Sequence, residues 1–343
     1  MKINKRTIAV TLITLLFVFL AFKDMQFGEF AKAMHDINYK TIWLIIPVLI
    51  VSMFARGIRL DYLLSKKSGL SVPALTGVCF AGSALNICLP ARAGDFFRAY
   101  YLGAKNSSDK VKIFGSIVLE RIFDGLCVLG ILFIGIMFFS KNKLAMQLCT
   151  SAAVMFLGAL IVTVILYKFN KTDYVCSVMT GWAKKCPEKI ANILIKIISF
   201  FNRLLNSFIG GFEIINSPKM FFMVGLWSVI IWSLECLEFY VTVKSLGLNV
   251  GFSITFFISS FIALASVIPS ASIFIGLYQW AVIQAMALYG IAQETALVLG
   301  IVHPFIQTAT LASIGFIFLF KNGIDLQQIS EKAKENELNS TEG

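Results

Sequence analysis

Ala84-Leu85-Asn86-Ile87-Cys88-Leu89-Pro90-Ala91-Arg92-Ala93-Gly94-Asp95-Phe96-Phe97-Arg98 runs an apolar stretch into a proline and follows it at once with charge. A proline inside a helix removes a hydrogen-bond donor and clashes with the preceding turn, so the apolar segment 72–104 breaks near its middle. The same arrangement returns later in the chain. Ala263-Leu264-x-x-x-Ile268-Pro269 repeats Ala84-Leu85-x-x-x-Leu89-Pro90 at an offset of 179 residues, inside a second broken segment, 251–290. At that offset Arg56 and Arg59 fall on Glu235 and Glu238, and Asp124 falls on His303. Gly69-Leu70-Ser71-Val72 matches Gly247-Leu248-Asn249-Val250 at 178, one residue out of step. Both copies keep one order of features: spanning helix, Gly-Leu turn, broken segment, and a helix with a polar pair.

The composition around these segments belongs to the bilayer. Of 343 residues, 58% are hydrophobic and 14% charged, against roughly 45–50% and about 25% in soluble domains. An ordinary cytosolic enzyme is excluded. Unbroken apolar segments at 7–22, 41–60, 112–139, 147–168, 219–243 and 293–320 approach the ~20 residues that cross hydrocarbon. The expected fold is an all-α polytopic membrane protein, an inverted repeat of about six spanning helices plus two re-entrant hairpins. Eight or more full crossings is the competing arrangement, because Val72 to Leu89 would reach ~27 Å as a helix. The N-terminal run follows Lys2, Lys5 and Arg6 and ends Leu20-Ala21-Phe22-Lys23 with no small-x-small cleavage site, so it reads as a retained first helix.

Lys and Arg orient such a chain, since cytoplasmic loops carry them in excess. Lys2, Lys5 and Arg6 precede the first helix; Arg56, Arg59, Lys66 and Lys67 close the second; Lys105, Lys110 and Lys112 precede the third. From Lys168 to Lys219 there are eight Lys or Arg and three acids. This arrangement places both termini in the cytoplasm of a cell membrane and gives the net charge of +11 an orienting role, so nucleic acid is not an expected partner. Within 174–216, Trp182, Ile190, Ile193, Ile197, Phe201, Leu204, Leu205 and Phe208 recur at helical spacing among Lys184, Lys185, Lys189, Lys196 and Arg203. That pattern describes a helix lying in the headgroup plane. The domains are then a first repeat at 1–173, the interfacial segment 174–216, the inverted second repeat 217–322 and a disordered cytoplasmic tail 323–343.

Ionisable residues inside a membrane are costly and mark functional sites. Arg92, Asp95 and Arg98 follow the first break; Glu120, Arg121 and Asp124 lie on the third helix; Glu235 and Glu238 on the fifth; His303 and Gln307 on the sixth. Arginine clamps phosphate bidentately, and carboxylates meet an ammonium or hold the arginine. The bland alternative is mutual salt bridging that glues the bundle. Seven scattered Cys without Cys-x-x-Cys, two His, and the lack of HExxH or a P-loop leave no expected metal, cofactor or catalytic residue.

On Asn86-x-x-x-Pro90-x-Arg92-x-Gly94-Asp95-x-x-Arg98, on Glu120-Arg121-x-x-Asp124 and on Pro269 through Gln279, the chain resembles the lysylphosphatidylglycerol synthase transmembrane region family of flippase-like proteins. The third motif departs from the family pattern, with Ser272-Ile273 where Pro-Gly is usual and Gln279 where many members carry Glu. The resemblance implies translocation of a lipid with a charged, phosphate-bearing headgroup. With about 23 residues after Phe320, the C-terminal synthase domain of bifunctional members is expected to be absent. The residues expected at the lipid are Asn86, Pro90, Arg92, Asp95, Arg98, Glu120, Arg121, Asp124, Glu235, Glu238, Gln279, His303 and Gln307. Membrane lipids are the expected partners, with a second copy of the chain or a separate lipid-modifying enzyme beside them. The alternative function is a membrane transferase of the phosphatidylglycerol lysyltransferase kind, acting on a lipid-linked aminoacyl or glycosyl group.

Overall fold

The structure, a computed structural model, describes residues 16–23, 25–65, 69–89, 93–106, 109–138, 143–168, 172–183, 188–265 and 276–324. These residues are helical and contain no strand. After a helical stretch at 16–22, we number the helices α1 (Phe27–His35), α2 (Tyr39–Ile42), α3 (Ile45–Leu63), α4 (Val72–Cys88), α5 (Ala93–Asn106), α6 (Lys110–Phe138) and α7 (Lys143–Lys168). There follow α8 (Thr172–Ala183), α9 (Glu188–Gly210), a 3-10 turn (Glu213–Asn216), α10 (Pro218–Ser245), α11 (Ile254–Ala265), α12 (Leu277–Ala287) and α13 (Gln293–Lys321).

Three stretches among the described residues are long and apolar enough to cross a membrane: Tyr39–Leu63, Pro218–Ser245 and Gln293–Lys321. In α10 only 22% of the most apolar window is buried, and Phe222, Leu226 and Val229 stand exposed. Such a face on a helix of this length suits hydrocarbon, because its own backbone hydrogen bonds are satisfied within the helix. Helix α6 is as long as α13 but carries Glu120, Arg121 and Asp124 at its middle. The paired helices are shorter. At ~1.5 Å per residue, α4 reaches about 26 Å and α11 about 18 Å.

Local signals place the helix starts. Asn38 Oδ1 accepts from the N–H groups of Lys40 (3.1 Å) and Thr41 (3.2 Å), capping α2. Pro73 sits in the first turn of α4, where no donor is needed. Gly69 and Gly247, the two glycines aligned in the repeated Gly-Leu turn, both take left-handed φ, 62° and 71°.

The chain divides into two compact units that interleave along the sequence. Unit 1 comprises Met1–Met53, Gly125–Met155 and Val229–Thr310; unit 2 comprises Phe54–Asp124, Phe156–Ser228 and Leu311–Gly343. In unit 1, α11 packs on α12, and Phe239, Phe257, Phe261, Tyr278 and Leu297 form the core. In unit 2, α4 packs on α5, with Ala81, Leu85, Phe97 and Leu319 at its core. Helices α8 and α9 pack together, and α9 leaves Ile197, Phe200, Phe201 and Leu205 exposed.

Candidate functional site

In unit 2 the opening motif builds a helical hairpin. A Cβ on Gly82 would lie 2.6 Å from Arg98 Cδ and 3.2 Å from the Gly94 carbonyl, and one on Gly94 would strike the Gly82 carbonyl. Only two glycines let α4 and α5 approach this closely. Asn86 then reaches across: its Oδ1 accepts from Gly94 N–H at 2.8 Å, and its Nδ2 lies 3.4 Å from Asp95 Oδ1. The spacing of Asn86, Gly94, Asp95 and Arg98 is thus explained by the crossing it produces. Pro90 and Arg92 lie outside the described residues.

The charges of this unit close into a ring of alternating sign. Arg59 Nη1 pairs with Asp124 at 2.6 Å and its Nη2 with Glu120 at 2.9 Å. Glu120 pairs with Arg98 at 2.8 Å, and Arg98 stands 3.7 Å from Asp95. Asp95 pairs with Arg121 at 2.9 Å, and Arg121 returns to Asp124 at 3.6 Å. Ser228 of α10 completes the fan of acceptors, its Oγ taking a bond from Arg59 Nη1 at 2.9 Å. Arg59 is fully buried and Arg98, Asp95, Glu120 and Asp124 nearly so, whereas the Arg121 side chain is 38% exposed. Among the described residues, each guanidinium keeps a buried Nε–H with no hydrogen-bond partner: Arg59, Arg98 and Arg121. The ring is electrically closed yet retains donors unspent among the described residues, and its two long links are Arg98–Asp95 and Arg121–Asp124, the second made by its most exposed member. Arg56, one turn before Arg59, adds its field at Asp124.

Arg59, one of the basic residues that close the second apolar segment in the sequence, is a buried ion-pair partner rather than a solvated flank. At 0% exposure it is the centre of the ring, because its guanidinium meets two carboxylates and a hydroxyl brought from α6 and α10.

Unit 1 holds a second buried polar group. His303 of α13 is 0% exposed and stacks on Phe239, with ring centroids 4.3 Å apart. Its Nδ1 is 2.9 Å from the Tyr278 hydroxyl and its Nε2 is 4.0 Å from Glu238 Oε2. Glu238 is equally buried. Glu235 is half-buried on α10, and its charge, like that of Glu238, reaches Tyr278. Gln307 is half-buried one turn beyond His303.

Gln279 has a structural task. Pro304 within α13 has no N–H to offer the carbonyl four residues earlier, Gly300. Gln279 Nε2 donates to that carbonyl at 2.8 Å, while its Oε1 accepts from Gly276 N–H at 2.7 Å. One amide thereby satisfies a proline-orphaned acceptor and caps α12, which starts at Gly276 with φ 78°.

The offset of 179 read from the sequence connects these contacts. It carries the pair Arg59–Asp124 onto Glu238–His303, and both pairs meet in the structure, at 2.6 and 4.0 Å. It also carries Gly57 and Thr76, which cross so closely that a Cβ on Gly57 would lie 2.9 Å from the Thr76 backbone N, onto Cys236 and Thr255. There Cys236 Sγ meets the hydroxyls of Ser259, at 3.4 Å, and Thr255.

The fold and its buried charges define a helical membrane protein with polar centres among its membrane helices. Residues 7–315 match the family described as "Lysylphosphatidylglycerol synthase TM region", and the chain belongs to that family. The chain is similar to a protein of Haloferax volcanii named "Glycosyltransferase AglD", 22% identical over 362 aligned positions. That alignment covers 97% of this chain and 57% of the relative, so the chain spans little more than half the relative's length. No solved structure matches the chain.

Proposed function

We propose that this chain moves a lipid with a phosphate-bearing headgroup between the leaflets of the cell membrane. The observation that carries the reading is the largely buried ring of Arg59, Arg98 and the part-exposed Arg121, held in place by three carboxylates with three Nε–H donors unspent among the described residues. A phosphate oxygen accepts such donors more strongly than a neutral group does. It would enter at Arg121, displacing the 3.6 Å link to Asp124 before the 2.9 Å pair with Asp95. The carboxylates then act as holders of arginine, exchanging partners as the headgroup passes. Glu235, Glu238, His303 and Gln307, carried on the second copy of the inverted sequence repeat, would also contact the headgroup. In this reading α4–α5 and α11–α12 are re-entrant hairpins, both termini are cytoplasmic, and the exposed apolar face of α9 lies on the cytoplasmic headgroups.

The test is translocation of labelled phospholipids in proteoliposomes, with anionic, zwitterionic and aminoacylated headgroups compared. Arg121→Gln should slow the transported headgroup by about tenfold or more, the equivalent of one charge-assisted bond, with the protein still folded. A folded variant that moves every lipid at the wild-type rate would overturn the assignment.

The similarity to a protein named as a glycosyltransferase favours a second reading, a transferase acting on a lipid-linked group. Product formed by the purified chain from an activated donor and a lipid acceptor would decide for it.

A further inference from the structure

We propose that Glu238 and His303, held by Tyr278, form a binding site for one exchangeable proton that is loaded and released during the transport cycle; this rests on the translocation reading above. The sequence offset relates this couple to Arg59–Asp124. Arg59–Asp124 is a fixed pair, because a guanidinium does not give up its proton in a protein. Its counterpart in unit 1 is built from two groups that both titrate, a carboxyl and an imidazole. One unit thus holds permanent charge where the other holds charge that a proton can cancel.

The geometry prepares the imidazole for this role. When the Tyr278 hydroxyl donates to Nδ1, at 2.9 Å, the neutral ring carries its proton on Nε2, on the side of Glu238. The 4.0 Å gap is too long for a direct hydrogen bond. Nε2 is accordingly without a hydrogen-bond partner among the described residues. Phe239, stacked on the ring, fixes its plane. The titratable groups that face the couple are Glu238 and Glu235 from α10 and Tyr278 from α12.

The step balances with a proton alone. Without it, carboxylate and neutral imidazole together carry one negative charge. A proton taken from water on one face adds to Glu238 Oε2, giving a glutamic acid beside imidazole, or to His303 Nδ1 with the Tyr278 hydroxyl turning from donor to acceptor, giving a carboxylate beside imidazolium; either way the couple becomes neutral overall. Release to the opposite face restores the charge. Because net charge is costly in hydrocarbon, the fully buried arrangement is the loaded one, and unloading requires water to reach α10 and α13.

Histidine usage makes the site directly observable, since the chain has only His35 and His303. In His35→Ala protein labelled with 15N-histidine, the His303 ring resonances should change between about pH 5 and about pH 9. Glu238→Gln should abolish the change or displace it by about one pH unit or more, and Tyr278→Phe, which removes a single oxygen, should displace it while keeping the ring in place. Resonances that stay constant in the parent, or that respond identically in all three proteins, would overturn the proposal; if Glu238→Gln fails to fold, Tyr278→Phe alone decides. In proteoliposomes, an imposed difference of about one pH unit should shift the steady-state leaflet ratio of the transported lipid by up to about tenfold for one coupled proton. In Glu238→Gln that ratio should no longer depend on the gradient. A parent that moves lipid with no response to the gradient would refute coupling and leave translocation standing. A parent that moves no lipid would refute translocation, and the ring resonances would still decide the proton site.

Discussion

Arg59→Met deletes the guanidinium at the centre of the charged ring and keeps most of its apolar stem. At the observed 2.6 Å, the gross attraction to Asp124 is about 6 kcal/mol at an effective dielectric constant near 20. Glu120, at 2.9 Å, adds a similar amount. Desolvation of the buried ions offsets most of both, so the cost of the substitution is set by what it strands. Glu120 keeps Arg98 at 2.8 Å, but Asp124 is left with Arg121 at 3.6 Å. Removing one partner of a buried pair costs about 3–5 kcal/mol; the surviving arginines put the expected loss near the lower bound, about 3 kcal/mol. Adding Asp124→Leu removes the stranded carboxylate, and the double variant should recover about 2 kcal/mol of that loss. Unfolding by SDS in mixed micelles, read by tryptophan fluorescence for wild type, both single variants and the double variant, measures the cycle. A single variant within about 0.5 kcal/mol of wild type, or a coupling energy below about 0.5 kcal/mol, would refute the ring as described.

Gln279→Glu should destabilise unit 1 by about 1–3 kcal/mol, because a carboxylate still accepts from Gly276 but cannot donate to the Gly300 carbonyl that Pro304 leaves unpaired; the same unfolding assay reads it, and an unchanged midpoint would contradict it. Gly94→Ala should abolish the close crossing of α4 and α5, lowering the yield of folded protein, whereas Gly130→Ala, where an added Cβ meets nothing within 4 Å, should leave it unchanged or raise it. Outside the membrane helices, the Ser207 hydroxyl bonds Asp109 and holds its carboxyl below the ordinary value of 3.8, with help from the Val111 N–H. A depressed carboxyl stabilises the fold above its ordinary pKa and loses that contribution as pH falls through the lower folded value. Ser207→Ala should therefore lower thermal stability near neutral pH, with the difference from wild type shrinking below about pH 4; a difference that grows on acidification would be inconsistent with the bond.

Arg59 shows where linear reading stops. Near the end of an apolar segment and followed by Lys66 and Lys67, it has the local signature of a membrane flank, and only the arrival of Glu120, Asp124 and Ser228 beside it marks it as buried. A signal was nevertheless present, since the 179-residue offset already paired Arg59 with Glu238 and Asp124 with His303. Tyr278 carried no comparable signal, because an aromatic in an apolar helix declares nothing about the imidazole its hydroxyl will meet. Gln279 is intermediate. Pro304 announces a carbonyl without its helical donor, yet which side chain reaches it depends on α12 lying against α13.

The sequence by itself determined that the chain is a helical membrane protein with two proline-broken segments at matching positions. Those properties follow from hydrocarbon thickness, helical rise and the missing proline N–H, all of which act locally. Only the tertiary structure decided which charges meet. A guanidinium finds its carboxylates across helices that lie far apart in sequence, and their distances separate a closed ion-pair ring in one unit from a 4.0 Å carboxyl–imidazole couple in the other.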